Sequence, residues 1–194
     1  MLRDLCEELV LAYEKHGERV RGNLRPGLRR EEIIELVKPT GVDLPESLIQ
    51  LYEWADGHFD NEDHENTIVF WDNTFISLSW AVEQYFQMQS TYGGADATLE
   101  VVGVDFAKCF PVSLNNGSWD TVVCGNHTHD PVLKNPIVRV FQGYGLFFDS
   151  VEAMIKTCTA WVNCEEWKRF DGLPQAIERQ IWKRENPVWA RGAN

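Results

Sequence analysis

The sequence predicts an α+β fold, a single domain in which helices pack around a small mixed or antiparallel sheet. Three observations carry this. Apolar residues recur at helical 3/4 spacing in the first 55 positions and again after residue 150. Between roughly residues 67 and 148 they fall instead into short runs bounded by turn residues, with one further helical stretch among them. No internal repeat or low-complexity linker divides the chain, and 194 residues are enough for one sizeable core.

Residues 2–20 read as a first helix, with Leu2, Leu5, Cys6, Leu9, Val10 and Tyr13 on one face. The break NLRPGL (23–28) follows, then a helix over 30–38 with Ile33, Ile34 and Val37 inward, stopped by Pro39 and Gly41. The stretch GVDLPESLIQLYEWADG (41–57) is the most informative. Pro45 suits a first helical position, Leu48, Leu51, Tyr52 and Ala55 form an apolar face, and Gly57 stands where a left-handed residue would end the helix. After the acidic loop GHFDNEDHEN (57–66), Thr67–Trp71 and Phe75–Ile76 read as strands. A helix then starts near Ser77 or Ser79, with Leu78, Ala81, Val82, Tyr85 and Phe86 as its buried stripe.

Beyond the loop TYGGAD (91–96), Phe110, Val112 and Leu114 alternate with Pro111 and Ser113. Asn116-Gly117 then turns the chain into a returning strand, Trp119–Cys124. Pro111 points to a sheet edge or a strand start. Ile137–Phe141 and Leu146–Phe148 are further strands. Ser150 caps a helix bearing Val151, Met154, Ile155, Cys158, Trp161 and Val162, and Pro174 opens a last helix that ends at Asn186-Pro187.

Composition narrows the function. Apolar residues at 44% and aromatics at 12% fit a folded globule. No apolar run approaches the ~20 residues of a membrane span. The charged, amphipathic start MLRDLCEELV is unlike a secretory signal. Cys6, Cys109, Cys124, Cys158 and Cys164 are odd in number and lack C-x-x-C spacing, which implies reduced, mostly buried thiols in a cytoplasmic protein. The net charge is −12, and Asp56 to Asp130 holds 12 Asp/Glu against one Lys (Lys108), a net of −11. Such a field repels nucleic acid and anionic lipid and favours cationic partners.

Catalytic chemistry is sparse. His58, Asp60, Asp63 and His64, and separately His127, His129 and Asp130, are the candidate metal clusters. Neither has a complete zinc set, and DNEDHEN lacks the D-x-[DN]-x-[DN]-G calcium pattern, so both read as solvated loops and no metal or other cofactor is expected. Cys124, three residues before His127, is a candidate nucleophile, but its acidic neighbourhood would raise the thiol pKa. No G-x-S-x-G, Walker or G-x-G-x-x-G motif occurs, and no catalytic residue is assigned.

Several segments resemble the SUKH superfamily, which includes fungal regulators of cell-wall assembly and many bacterial immunity proteins. They are the 41–57 helix unit, the hairpin CFPVSLNNGSWDTVVCGN, the ending PIVRVFQGYGLFFDSVEAMIKTCTAWV, and the pair GLRREEIIEL and IWKRENP, which is similar to a bacterial subset. The resemblance covers about residues 24–188 and leaves the N-terminal helix (2–21) as an extension. It implies a non-enzymatic, cytoplasmic protein-binding domain that neutralises a protein toxin, often a nuclease. The alternative is a regulatory or scaffolding adaptor with no toxin partner. Charge alone nominates Asp60, Glu62, Asp63, Glu65, Asp72, Asp96, Glu100 and Asp120 for the binding surface. Trp71 and Trp119 join them as interface aromatics.

Overall fold

The computed structural model describes residues 1–59, 67–92, 104–115, 117–125, 133–140, 144–168 and 172–192. The first half is mostly helical: α1 (Leu2–Lys15), α2 (Val20–Asn23), a short strand β1 (Leu24–Pro26), α3 (Arg30–Val37), α4 (Glu46–Trp54) and β2 (Ala55–His58). The α1 face formed by Leu2, Cys6, Leu9, Val10 and Tyr13 is buried in the main core. Tyr13 Oη donates to the Val69 carbonyl (3.0 Å), and the His16 ring bonds the Val162 carbonyl (2.7 Å). The N-terminal helix is therefore part of the core rather than an appendage.

Pro45 sits one position earlier than its sequence suggests. Its ψ of 154 is extended, so it caps α4, and Glu46 is the first helical residue. Gly57 does not end that helix, because the chain is already extended at Ala55 (φ −153, ψ 146) and runs on into β2, paired antiparallel with β1. The left-handed φ of Gly57 (+69) serves close packing instead: a Cβ there would lie 2.4 Å from the Ser77 nitrogen and 2.5 Å from the Ile76 carbonyl carbon.

The second half is built on a six-stranded antiparallel meander. Its strands are β3 (Val69–Phe70), β4 (Asn73–Phe75), β5 (Cys109–Asn115), β6 (Ser118–Val123), β7 (Ile137–Val140) and β8 (Tyr144–Phe148), each paired with its neighbours in sequence. The β5–β6 hairpin turns between the partners Asn115 and Ser118, with Gly117 at φ +80; Asn116 lies outside the described residues. Pro111 lies in an inner strand, not at an edge. It is tolerated because β4 pairs only as far as Ser113 and a bulge follows, so its missing N–H falls beyond the β4 ladder.

Successive strand residues face opposite sides of the sheet. Phe70, Phe75, Phe110, Val112, Val122, Ile137 and Phe148 enter the main core, while Cys109, Trp119, Val123, Val138 and Val140 form a second, smaller cluster. Helix α5 (Leu78–Tyr92) serves both, with Leu78, Ala81 and Tyr85 in the main core and Met88 in the second. This double duty turns its buried face: Gln84 and Met88 are buried, whereas Phe86, expected inward, is 47% exposed. Asp56 starts α5, its carboxylate accepting the Leu78 N–H (2.7 Å) while Arg25 donates to its other oxygen (3.1 Å).

Helix α6 (Val151–Val162) is capped by Ser150, whose hydroxyl accepts the Ala153 N–H (3.1 Å). After α7 (Gln175–Glu185) the chain bends at Asn186-Pro187 into a further helix, α8 (Pro187–Gly192). Fully buried Asn186 receives the Asp149 N–H and donates to Thr157. The Asp149 carboxylate accepts the N–H groups of Val188 and Trp189 and so holds the start of α8. No helix among the described residues is long and apolar enough to cross a membrane.

Candidate functional site

Trp71 and Asp72 form the two-residue connection between β3 and β4, where Phe70 faces Asn73. Tight hairpin turns require positive φ, and Trp71 adopts φ +69, an uncommon conformation for a bulky side chain. Ring packing holds it there. Trp71 stacks on Trp161 (5.1 Å between centroids, 24° between planes) and meets Trp182 (4.3 Å, 85°) and Phe147 (6.4 Å, 89°) edge-on. Asn115 donates to the Asp72 carbonyl (2.8 Å) and ties the turn to the end of β5.

The Asp72 carboxylate, exposed at the surface, receives Arg139 from β7 (2.7 Å). The same guanidinium grips Asp120 with two bonds, 2.8 and 3.1 Å, and lies 3.7 Å over the Phe147 ring. Asp120 is fully buried and also accepts the Ser113 hydroxyl (2.9 Å). Burial pushes the Asp120 carboxyl above its ordinary value against the downward pull of Arg139 and Ser113. Burial opposes the charge on Arg139, yet Asp120 and Asp72 more than offset it and hold the guanidinium above its ordinary value.

Two nominated residues thus leave the surface. Asp120 is consumed by an internal ion pair with β7. Trp119, on the opposite face of the sheet, is buried in the second cluster with its indole N–H donated to Gln84 (2.8 Å). Trp71 and Asp72 stay together at the turn. Asp60, Glu62, Asp63, Glu65, Asp96 and Glu100 lie outside the described residues, as do His64, His127, His129 and Asp130.

Next to the turn is a cleft of about 330 Å³, walled by Trp71, Phe147, Trp182 and Trp189. Gln175, Glu178 and Arg179 of α7 complete its lining. Of the cleft residues, sequence reasoning nominated only Trp71. Phe147 lies at the bulge in β8, between Leu146 and Phe148, so strand alternation fails there and both phenyl rings pack against Trp182. Trp189 followed a helix stop and gave no periodic signal at all.

His58 is a structural residue: it is buried and its Nε2 accepts the Ile68 N–H (2.8 Å). Among the described residues no three His, Cys, Asp or Glu side chains cluster as metal ligands. All five cysteines are unpaired thiols. Cys124 is buried, and burial pushes its thiol well up, the reverse of what a nucleophile requires. What the described surface offers is aromatic area beside charge, which suits recognition of a partner or ligand. Neither the scan against family models nor the search of curated proteins finds a match to this chain.

Proposed function

We propose that the chain is a non-enzymatic, SUKH-type protein-binding domain acting in the bacterial cytoplasm as an immunity protein, and that it neutralises a cationic toxin domain through an acidic surface. The observation that carries this reading is where the charge goes uncompensated. In the helical half, basic side chains are matched at home: Arg21 pairs with Glu7 and Glu14, Arg25 with Asp56, Arg29 with Glu32, and Arg30 with Glu46 and Glu53. From Asp56 to Asp130 there are 12 Asp/Glu and only Lys108 to answer them. Three of these carboxylates are ion-paired from outside the segment, Asp56 by Arg25 and both Asp120 and Asp72 by Arg139, and of the three only Asp72 is exposed, beside an aromatic wall. A nuclease exposes a basic cleft for phosphate, and a carboxylate-rich inhibitor competes for it and is drawn in at long range.

The test begins with the toxin domain of a large secreted protein encoded beside this chain. Co-production should restore growth to cells making that domain, whereas an adaptor would bind its partner without restoring growth. Association of the two purified proteins should slow about tenfold or more between about 50 and about 500 mM salt, with a smaller change in dissociation. Changing Asp60, Glu62, Asp63 and Glu65 to Lys should reproduce that slowing at low salt while barely moving the melting temperature. An association rate indifferent to both treatments would sink the electrostatic reading.

A further inference from the structure

The aromatic cleft has chemistry of its own. Its walls are not parallel: Trp71 stands at 85° to Trp182 and 89° to Phe147, and Trp182 lies at 51° to Trp189. A flat ring can lie against one such wall but not against several. Trp182 is buried against Trp71 (4.3 Å) and Phe147 (4.6 Å) and forms the floor, so a roughly spherical group can rest there between Trp71, Phe147 and Trp189. One face of each of three walls is already backed from inside: Trp71 by Trp161, Trp182 by Phe148 and Phe147 by Arg139. The rings are therefore held in place before any ligand arrives, and their orientation costs a ligand little.

Charge decides between a neutral and an ionic occupant. Electron-rich ring faces attract cations, and Phe147 already carries the Arg139 guanidinium 3.7 Å from its centre. That guanidinium is neutralised by Asp72 and Asp120, so it does not repel a second cation strongly. Glu178 lines the cleft and forms no ion pair with any described residue. Burial pushes its carboxyl above the ordinary value, against a backbone hydrogen bond at Leu173, so its negative charge is poorly compensated where it stands. Arg179 also lines the cleft and opposes a cation, but its position is exposed, where water weakens the repulsion. A bare ammonium holds its hydration tightly, whereas an alkylated one surrenders less on entering an apolar enclosure.

We propose that this cleft is a binding site for an alkylated ammonium group, quaternary or trimethylated, carried by a small molecule or by a modified lysine side chain. The site is independent of the toxin partner proposed above, and its test needs no such partner.

The full-length protein labelled with ¹⁵N at tryptophan gives indole N–H resonances that single Trp→Phe changes can assign. Titration with choline and with N-acetyl-Nε-trimethyl-lysine amide should shift the resonances of Trp71, Trp182 and Trp189, leaving that of Trp119 in place. Dissociation constants of about 0.1 to 10 mM are expected for so small a contact. The neutral isostere of choline, 3,3-dimethyl-1-butanol, should bind at least about tenfold more weakly, since it keeps the shape and loses the charge. Glu178→Gln should weaken choline about fivefold without altering the melting temperature, and Trp189→Leu should remove most of the binding. Tighter binding of choline assigns the small molecule, and tighter binding of the amide assigns the modified side chain. Equal affinity for the neutral alcohol, no indole shift at high ligand concentration, or binding that ignores Glu178→Gln would each overturn the proposal. The Glu178→Gln arm decides the matter even if Trp189→Leu fails to fold.

Discussion

Asp120 and Arg139 form a charge pair that the interior tolerates only because both members are present. The carboxylate is 0% exposed and has no route to water if its partner is lost. Removing one member of such a pair leaves the other charge stranded, which costs more than the pair itself contributes. Asp120→Asn should therefore destabilise the protein by about 3 kcal/mol in urea unfolding, while Asp120→Leu combined with Arg139→Met should recover much of the loss. A single substitution costing under about 1 kcal/mol would show that water reaches the pair. Glu7 is a milder case at the surface. The indole N–H of Trp54 (2.7 Å) and then Arg21 (2.8 Å) hold its carboxyl below the ordinary 4.5. A depressed folded-state pKa means that the stabilisation is complete above 4.5 and is lost as pH falls through the lower folded value. Unfolding midpoints measured between about pH 7 and about pH 3 should thus drop less for Glu7→Gln than for the parent chain.

Gly57 and Gly117 both have a positive φ, +69 and +80, but answer to different neighbours. A Cβ at Gly117 meets nothing within 4 Å, so Gly117→Ala should cost only the left-handed strain, about 1 kcal/mol. At Gly57 the new carbon would strike the backbone at Ile76 and Ser77, where no side chain can give way. Gly57→Ala should cost about 3 kcal/mol or more and loosen the start of α5, visible as faster amide exchange at Leu78. Equal melting temperatures for the two variants would refute the close approach. The contrast also separates what the sequence made legible from what it hid. The hairpin turn at Gly117, the Ser150 cap and the Pro174 helix entry are decided within a few residues, and each was readable. The role of Gly57 depends on a segment 20 positions away, and the turned face of α5 depends on two clusters that only the folded sheet separates. Helix α8 depends on Asp149, a side chain nearly 40 residues distant, so the Asn186-Pro187 stop concealed it.

Charge and aromatic content, the properties of the whole chain, were legible as quantities and only partly as places. Trp71 and Asp72 were nominated and do lie together at the turn. Trp119 and Asp120 were nominated on the same grounds, but strand alternation sends them to opposite faces, one under α5 and the other onto an arginine of the adjacent strand β7. The thiols give a molecule-wide check. Burial pushes Cys6, Cys109 and Cys158 up to about 12 and Cys124 further, whereas Cys164 stays within reach of solvent beside Glu166. A thiol-reactive dye at about pH 8 should label Cys164 alone in the native protein and all five positions after unfolding. Rapid native labelling of a second cysteine would mean that the core opens far more readily than its packing implies.

The seating of α1 against α6 has a consequence for the birth of the molecule. The apolar face of α1 leaves the ribosome about 140 residues ahead of α6, a surface that covers much of it. At ordinary translation speeds that gap lasts on the order of 10 s, during which α1 has α4 beside it but the part of its face that α6 covers stays open. Nascent chains halted before residue 150 should accordingly be captured by holdase chaperones, while chains halted far enough past α6 for it to emerge should escape them.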